Sequence, residues 1–201
     1  MVNLFKNKVD EEYGTVLGSL ESDWKRSHSG ESAIGDFIAD AMKEGAHAQV
    51  AITNSSGIRK DLSAGPIRKL DLFEISPFRN ILCTFTLSGK DVRDFALRYA
   101  RSLERGTGNL QISGIQCLWK NSADEIAVSH VTVDGVEIQD TSRYLCATSD
   151  FVIDQADKYV GMTPTAVSYL DVTVFQALVA KVQKDKVIRS SVEGRFKEIK
   201  D

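Results

Sequence analysis

The sequence predicts a layered α+β domain with mixed β-sheets and flanking helices. Apolar residues recur at helical spacing in some segments and alternate as in strands in others, and the two kinds of segment follow one another along the chain. The 201 residues include three prolines and show no internal repeat or Pro-rich linker. We therefore expect one domain over residues 21–201, preceded by a weakly patterned lead-in over residues 1–20.

The first half of the chain predicts two helices and two strands. "SAIGDFIADAMKEG" has an apolar face at helical spacing, with Gly45 expected to end the helix. "AQVAIT" predicts a buried strand that leads directly into "NSSGIR", and "NILCTFTL" predicts the next strand. Ser88 and Asp91 stand at capping-box spacing and open a second helix, "SGKDVRDFALRYA".

The second half predicts mostly strands. After the loop "ERGTGN", strands are expected at "GIQCLWK", "IAVSHVTV" and "RYLCATS", with a hairpin turn at Asp134-Gly135. A helix is expected to start at Asp171 as N-cap and to bury Phe175, Leu178, Val179 and Val182. The tail "VEGRFKEI" alternates like an edge strand.

Composition and motifs argue against several function classes. A net charge of -3 does not suggest the positively charged surface that binds nucleic acid. No apolar run approaches the roughly 20 residues of a membrane helix. The chain lacks the G-x-S-x-G, P-loop, G-x-G-x-x-G, C-x-x-C and H-E-x-x-H motifs, and its three histidines have no partner at ligand spacing, so we expect no metal site. Cys83, Cys117 and Cys146 lie in apolar strands and are expected to be buried thiols.

The segment "NSSGIR" is a candidate ligand loop because it follows a buried strand with polar and flexible residues. Asn54 supplies hydrogen-bond donors and acceptors, Gly57 permits positive φ or a close backbone approach, and Arg59 suits phosphate or carboxylate. Such residues are also common turn formers. The loop alone therefore leaves ligand binding and a simple turn both open.

Two aromatic residues stand at further strand boundaries. Phe78 and Asn80 belong to "SPFRN", and Phe151 ends "TSDF". Rings delivered from separate strand ends could stack a flat heterocycle between them, although both could equally be core phenylalanines.

The ordered blocks "ESAIGDFIADAM", "NSSGIR", "SPFRN", "LSGKDVRDF", "LQISGIQ", "YLCATSDFVIDQADKY" and "VEGRFK" resemble the C-terminal domain of the 5'-nucleotidase family, from about Glu21 to Lys197. The resemblance implies an α/β/β/α fold that grips a nucleotide for a two-metal phosphoesterase domain. It implies that Phe78 and Phe151 sandwich the base and that Asp157 holds the ribose hydroxyls. Asn54 and Asn80 match polar contacts near the base or nucleoside, and Arg59 matches an arginine of the substrate site.

The chain departs from the family pattern in three places. Ser56 stands where the family has Gly, and Gln155, Ala156 and Lys158 replace glycines around Asp157. His28, with Arg26 nearby, occupies the place of a family arginine on the phosphate side. An imidazole is mostly neutral at pH 7, so weak phosphate recognition is expected.

The metal-binding motifs of the family's catalytic domain, Asp-x-His and Gly-Asn-His-Asp/Glu, do not occur in the sequence. We therefore expect no catalytic residue and no hydrolysis by this chain alone, with two divalent metals in a missing or separate metallophosphoesterase domain. A stand-alone nucleoside-binding module and a degenerate interaction domain are the alternatives. The resemblance also implies a periplasmic or extracellular location, although the chain shows no signal peptide.

Overall fold

The computed structural model describes residues 13–122 and 125–200, and within them the chain forms three mixed β-sheets and six α-helices. The strands are β1 (Val16–Leu20), β2 (Val50–Asn54), β3 (Gly65–Arg68), β4 (Ile81–Ser88), β5 (Leu110–Ser113), β6 (Ile115–Ser122), β7 (Glu125–Val133), β8 (Val136–Glu137), β9 (Arg143–Ser149), β10 (Thr165–Thr173), β11 (Val187–Ile188) and β12 (Phe196–Glu198). The helices are α1 (Ala33–Gly45), α2 (Lys69–Ile75), α3 (Gly89–Glu104), α4 (Asp150–Ile153), α5 (Ala156–Tyr159) and α6 (Val174–Asp185). The predicted fold class is confirmed.

The central sheet has the strand order β10-β4-β9-β2-β5. Strands β2 and β9 run parallel, whereas β4 runs antiparallel to β9 and β5 antiparallel to β2. A four-stranded sheet, β12-β6-β7-β8, and a three-stranded sheet, β11-β1-β3, accompany it. The tail strand β12 pairs with β6 at the edge of its sheet, as its alternating pattern predicts.

The central sheet separates two hydrophobic cores because neighbouring side chains on a strand point to opposite faces. Ala51 and Ala147 face helices α1 and α6 on one side. Val50 and Ile52 face the second core, where α3 and the inner residues of β6 and β7 pack. Strand β2 of this sheet is therefore buried on both faces.

The start of α3 and the end of α1 follow their sequence signals. Ser88 and Asp91 form the predicted capping box of α3. Helix α1 ends at Gly45, as predicted, although the residue with positive φ that follows it is His47 (φ 50°). A Cβ on Gly45 would lie 2.9 Å from the Cβ of Ala177, so this glycine lets α1 and α6 pack closely.

The expected N-cap Asp171 is wrong, because this residue lies inside β10. Thr173 caps α6 instead, and its hydroxyl accepts a hydrogen bond from the backbone N–H of Gln176 at 3.1 Å. The Asp134-Gly135 turn between β7 and β8 is confirmed, with positive φ at both residues.

Of the expected lead-in, residues 1–12 lie outside the described part of the chain, and β1 pairs with β3 and β11. Cys83, Cys117 and Cys146 are buried, as predicted, and burial raises the pKa of Cys83 to about 11 and those of the other two to about 12. Over the described residues, no helix has the length and hydrophobicity to cross a membrane.

A buried ionic cluster fastens the C-terminal segment to α1. The Arg195 side chain donates to the carbonyl of Ile112 at 2.5 Å and to the carboxylate of Asp40 at 3.0 Å. The Glu31 carboxylate accepts the backbone N–H groups of three successive residues, at 2.9 Å each, from Glu193, Gly194 and Arg195.

Asp36 lies inside this cluster, 2% exposed, and its oxygens have no hydrogen-bond partner among the described residues. Burial raises the pKa of Asp36 to about 8, the Glu31 carboxylate acts in the same direction, and the Arg195 guanidinium 3.7 Å away opposes them. The folded chain therefore holds a proton that the unfolded chain releases near pH 4.

This carboxyl predicts a fall in stability with rising pH. Between about pH 4 and pH 8 the folded state binds more protons than the unfolded state, so the free energy of unfolding should fall by up to about 1.4 kcal/mol per pH unit. Asp36→Asn should flatten this dependence in urea titrations at pH 5, 6, 7 and 8. The exposed Asp94→Asn is the matched control, and an equal flattening in both variants would contradict the assignment to Asp36.

Candidate functional site

Three segments meet at one end of the central sheet. Strands β2 and β9 are parallel, so their carboxyl ends, at Asn54 and Ser149, lie at the same edge. Strand β4 is antiparallel to β9, with Leu82 opposite Ser149, so the residues just before β4 reach that edge as well. Sheet topology thus brings together loops that are distant in sequence.

These segments enclose a pocket of about 220 Å³. Its lining residues are Asn54, Ser56, Gly57, Arg59, Phe78, Asn80 and Phe151. Six of these are residues that the sequence singles out as ligand contacts, and the seventh, Ser56, is a departure from the family pattern. A hydroxyl two residues after the Asn54 amide is the sequence signal that predicts Ser56 as a further lining residue.

The two phenylalanines are surface residues of this pocket. Phe78, between α2 and β4, is 44% exposed, and Phe151 is 40% exposed, so the alternative that both are core residues is wrong. Ser149 caps α4, and its hydroxyl accepts a 3.4 Å hydrogen bond from Val152, which fixes the turn that carries Phe151. An exposed aromatic ring retains a face that a ligand can cover.

The "NSSGIR" loop is braced by its own side chains. Residues Ser55–Gly57 form one 3-10 turn, and the Asn54 amide donates to the Ser56 hydroxyl at 2.6 Å. Arg59 donates from its side chain to the carbonyl of Ser56 at 3.1 Å and from its backbone to the carbonyl of Ile75 at 2.8 Å. The guanidinium is therefore held close to the loop, with other N–H groups left for a ligand.

Gly57 does not have the positive φ that the sequence allowed for. A Cβ at this position would lie 3.5 Å from the Asn54 Oδ1, which is an ordinary contact. Gly57 therefore contributes a pocket wall without a side chain rather than a special backbone conformation.

Arg26 and His28 do not line the pocket. The Arg26 side chain donates to Asp61 at 2.9 Å and to the backbone carbonyl of Arg59 at 2.8 Å. Hydrogen bonds from the Arg26 backbone and side chain hold the pKa of Asp61 below its ordinary value. His28 is exposed. Arg26 thus supports the backbone of the loop, with its charge engaged by Asp61.

Asp157 is exposed and is absent from the described residues that line the pocket. It lies in α5, the short helix formed by the residues that replace the family's glycines. The Arg98 guanidinium donates to the carbonyls of Lys158 at 2.5 Å and Tyr159 at 3.0 Å, so α5 is anchored to α3.

The pocket has the chemistry of a binding site. Two aromatic faces, two amides and a guanidinium suit a flat polar ring with an anionic substituent. In residues 13–122 and 125–200 no group of three or more His, Cys, Asp or Glu is placed to hold a metal ion. The side chains in these residues therefore do not fit a two-metal centre.

Comparison with known proteins identifies the domain. The family model for the 5'-nucleotidase C-terminal domain matches residues 13–164. The trifunctional nucleotide phosphoesterase protein YfkN of Bacillus subtilis is 29% identical over 214 residues, and the match spans 97% of this chain and 14% of that protein. The endonuclease YhcR of the same organism is 31% identical over 144 residues, which cover 72% of this chain and 11% of the relative.

The fold is also that of a solved structure. The 5'-nucleotidase precursor of Thermus thermophilus superposes on 100% of this chain and 42% of its own length, with a TM-score of 0.78 and 21% identity. The chain thus spans less than half of each of these relatives. The match of the family model over most of the chain is decisive: this chain belongs to the family of 5'-nucleotidase C-terminal domains.

Proposed function

We propose that this chain is the nucleotide- or nucleoside-binding domain of a 5'-nucleotidase-type phosphoester hydrolase and that it stacks the base between Phe78 and Phe151. The observation that carries the proposal is the convergence of two half-exposed aromatic rings with Asn54, Asn80 and Arg59 around one pocket. Each base has two π faces and a polar edge, which these groups complement.

The size of the pocket supports a partial enclosure of the ligand. Pockets that bury whole drug-sized ligands have volumes of roughly 300–1,000 Å³. A volume of about 220 Å³ suits the base alone, which leaves the sugar and phosphate outside. That arrangement fits a domain that presents a phosphoester to a catalytic centre elsewhere.

Hydrolysis itself requires a partner domain in this proposal. The trifunctional nucleotide phosphoesterase is several times longer than the part that matches this chain. The 5'-nucleotidase precursor is more than twice as long as its matching part. We assign the two divalent metals, which activate water and stabilise charge, to a metallophosphoesterase domain or chain. The residues of this chain hold the base, and the chain alone hydrolyses no phosphoester.

Recognition of phosphate is expected to be weak. Arg59 is the one cationic side chain among the described residues that line the pocket, whereas Arg26 is paired with Asp61 and His28 lies outside the lining. A single exposed charge contributes about 1 kcal/mol or less in water. AMP should therefore bind less than about tenfold more tightly than adenosine.

Isothermal titration calorimetry tests the proposal. We expect adenosine and AMP to bind with Kd values below about 1 mM that differ by less than about tenfold. Ribose 5-phosphate, which lacks a base, should give no heat of binding at the same concentration. The absence of adenosine binding would contradict the base pocket, and a hundredfold preference for AMP would contradict the assignment of the phosphate side.

A further inference from the structure

We infer that Gln111 is a positioning residue that holds the "NSSGIR" wall of the pocket in its binding conformation by fastening it to helix α1. This inference rests on the proposed function. Gln111 lies on β5 and does not contact the pocket, so it acts through Ser55, which stands between the lining residues Asn54 and Ser56.

The Gln111 side chain is 1% exposed and makes four hydrogen bonds. Its amide N–H groups donate to the hydroxyl of Ser55 and to the carbonyl of Gly30, each at 2.8 Å. Its amide oxygen accepts from the backbone N–H of Ser32 at 3.1 Å and from the Ser32 hydroxyl at 3.2 Å. The amide nitrogen and the amide oxygen of Gln111 each make two hydrogen bonds, and the partners come from two different loops.

The surroundings of Gln111 leave little freedom for another arrangement. A Cβ on Gly35 would lie 1.8 Å from the Gln111 Oε1, so the first turn of α1 has no side chain where the amide passes. Ser32 is the N-cap of α1 and its hydroxyl also accepts from the Gly35 N–H at 3.2 Å. The amide is therefore fixed relative to a helix of 13 residues, which is a rigid reference for the loop.

The link reaches the ligand side over one residue. The Ser55 side chain is 2% exposed and points to Gln111, while its neighbours Asn54 and Ser56 line the pocket. The Ser55 backbone N–H donates to the carbonyl of Asn109 at 2.8 Å, which anchors the same residue a second time to the segment before β5. Releasing the Ser55 hydroxyl should loosen the 3-10 turn that sets the positions of Asn54 and Ser56.

Ser113 provides a matched control on the same strand. It lies two residues from Gln111, is equally buried at 2% exposure, and its hydroxyl donates to Asp40 of α1 at 2.5 Å. It therefore makes the same kind of strand-to-helix bond without a link to the pocket loop. A purely structural role for Gln111 predicts similar effects of both sites on ligand binding.

The experiment compares Ser55→Ala, Gln111→Met, the double variant and Ser113→Ala in the full chain. Amide hydrogen exchange of residues 55–59 is measured without ligand, and adenosine affinity is measured by calorimetry. We expect Ser55→Ala and Gln111→Met to accelerate this exchange about tenfold and to weaken adenosine binding about fivefold to tenfold, since one buried hydrogen bond is lost. The double variant should bind adenosine about as tightly as the single variant with the lower affinity, because both substitutions break the same hydrogen bond.

Ser113→Ala should change neither the exchange of residues 55–59 nor the adenosine affinity. If Gln111→Met does not fold, Ser55→Ala carries the test alone, because it removes only a hydroxyl. Unchanged exchange or unchanged affinity in Ser55→Ala, with adenosine bound by the unaltered chain, overturns the inference. No adenosine binding by the unaltered chain overturns the proposed function and this inference with it, and the exchange data then show whether the loop link itself exists.

Discussion

Phe78→Ala and Phe151→Ala are each expected to weaken adenosine binding by about 1–3 kcal/mol, or about fivefold to 150-fold in Kd. Each ring is at least 40% exposed and lines the pocket, so its removal takes away one stacking face without opening a cavity in the core. The free energy of unfolding should therefore change little. Calorimetry gives the affinity, and urea titration gives the stability.

Phe73→Ala is the matched control for this experiment. Phe73 is 39% exposed, like the pocket rings, but it is not among the residues that line the pocket. It contacts the rings of Tyr13 and Phe175, with centroids 5.6 and 6.1 Å away, as Phe151 contacts the ring of Tyr159 at 6.1 Å. Its removal should leave the adenosine Kd unchanged. Equal losses of affinity in all three variants would point to a general loosening of the fold, and no loss in either pocket variant would contradict stacking of the base.

The sequence was sufficient to find most of this pocket because strand ends carry a readable signal. Asn54 is the last residue of a buried strand of five residues, and Phe78 and Phe151 flank two others. Period-2 patterning identifies strands but leaves their order open. The antiparallel pairing of β4 with β9 and the parallel pairing of β9 with β2 bring the three segments together, and this information comes from the structure.

Some roles depend on tertiary neighbours that the sequence does not show. Gly45 ends helix α1 as predicted, and in the fold it also faces Ala177 of another helix, where it allows close packing. Asp171 has a good N-cap side chain, but pairing with β4 continues the strand to Thr173, and the helix begins there. Asp157 lies exposed in α5, and its match to the family's ribose-binding aspartate stays a prediction.

The alternation of apolar and polar residues in β5 is a sequence signal that points to Gln111. In β5 the apolar Leu110 and Ile112 face the second core, whereas Gln111 and Ser113 point to the other face and are nonetheless buried. A buried Gln requires partners for both ends of its amide. Only the fold shows that these partners are the helix cap at Ser32 and the pocket loop at Ser55.

Arg195→Met should lower the free energy of unfolding by about 3–5 kcal/mol, the largest effect on stability expected in this chain. Arg195 is 6% exposed, and its removal leaves the Asp40 carboxylate and the Ile112 carbonyl without their guanidinium partner. It also removes the positive charge 3.7 Å from Asp36, so the loss should grow as pH rises toward 8 and that carboxyl ionises.

Urea titrations at pH 6 and pH 8 measure this loss, and Arg189→Met is the control. Arg189 is an exposed arginine that pairs with Glu21 at 2.8 Å, and exposed pairs contribute about 1 kcal/mol or less. A loss below about 1 kcal/mol for Arg195→Met would mean that water replaces the guanidinium in the cluster. A full loss would show that one buried cation, opposed to several carboxylates, fastens strand β12 to the domain, because Arg195 immediately precedes that strand.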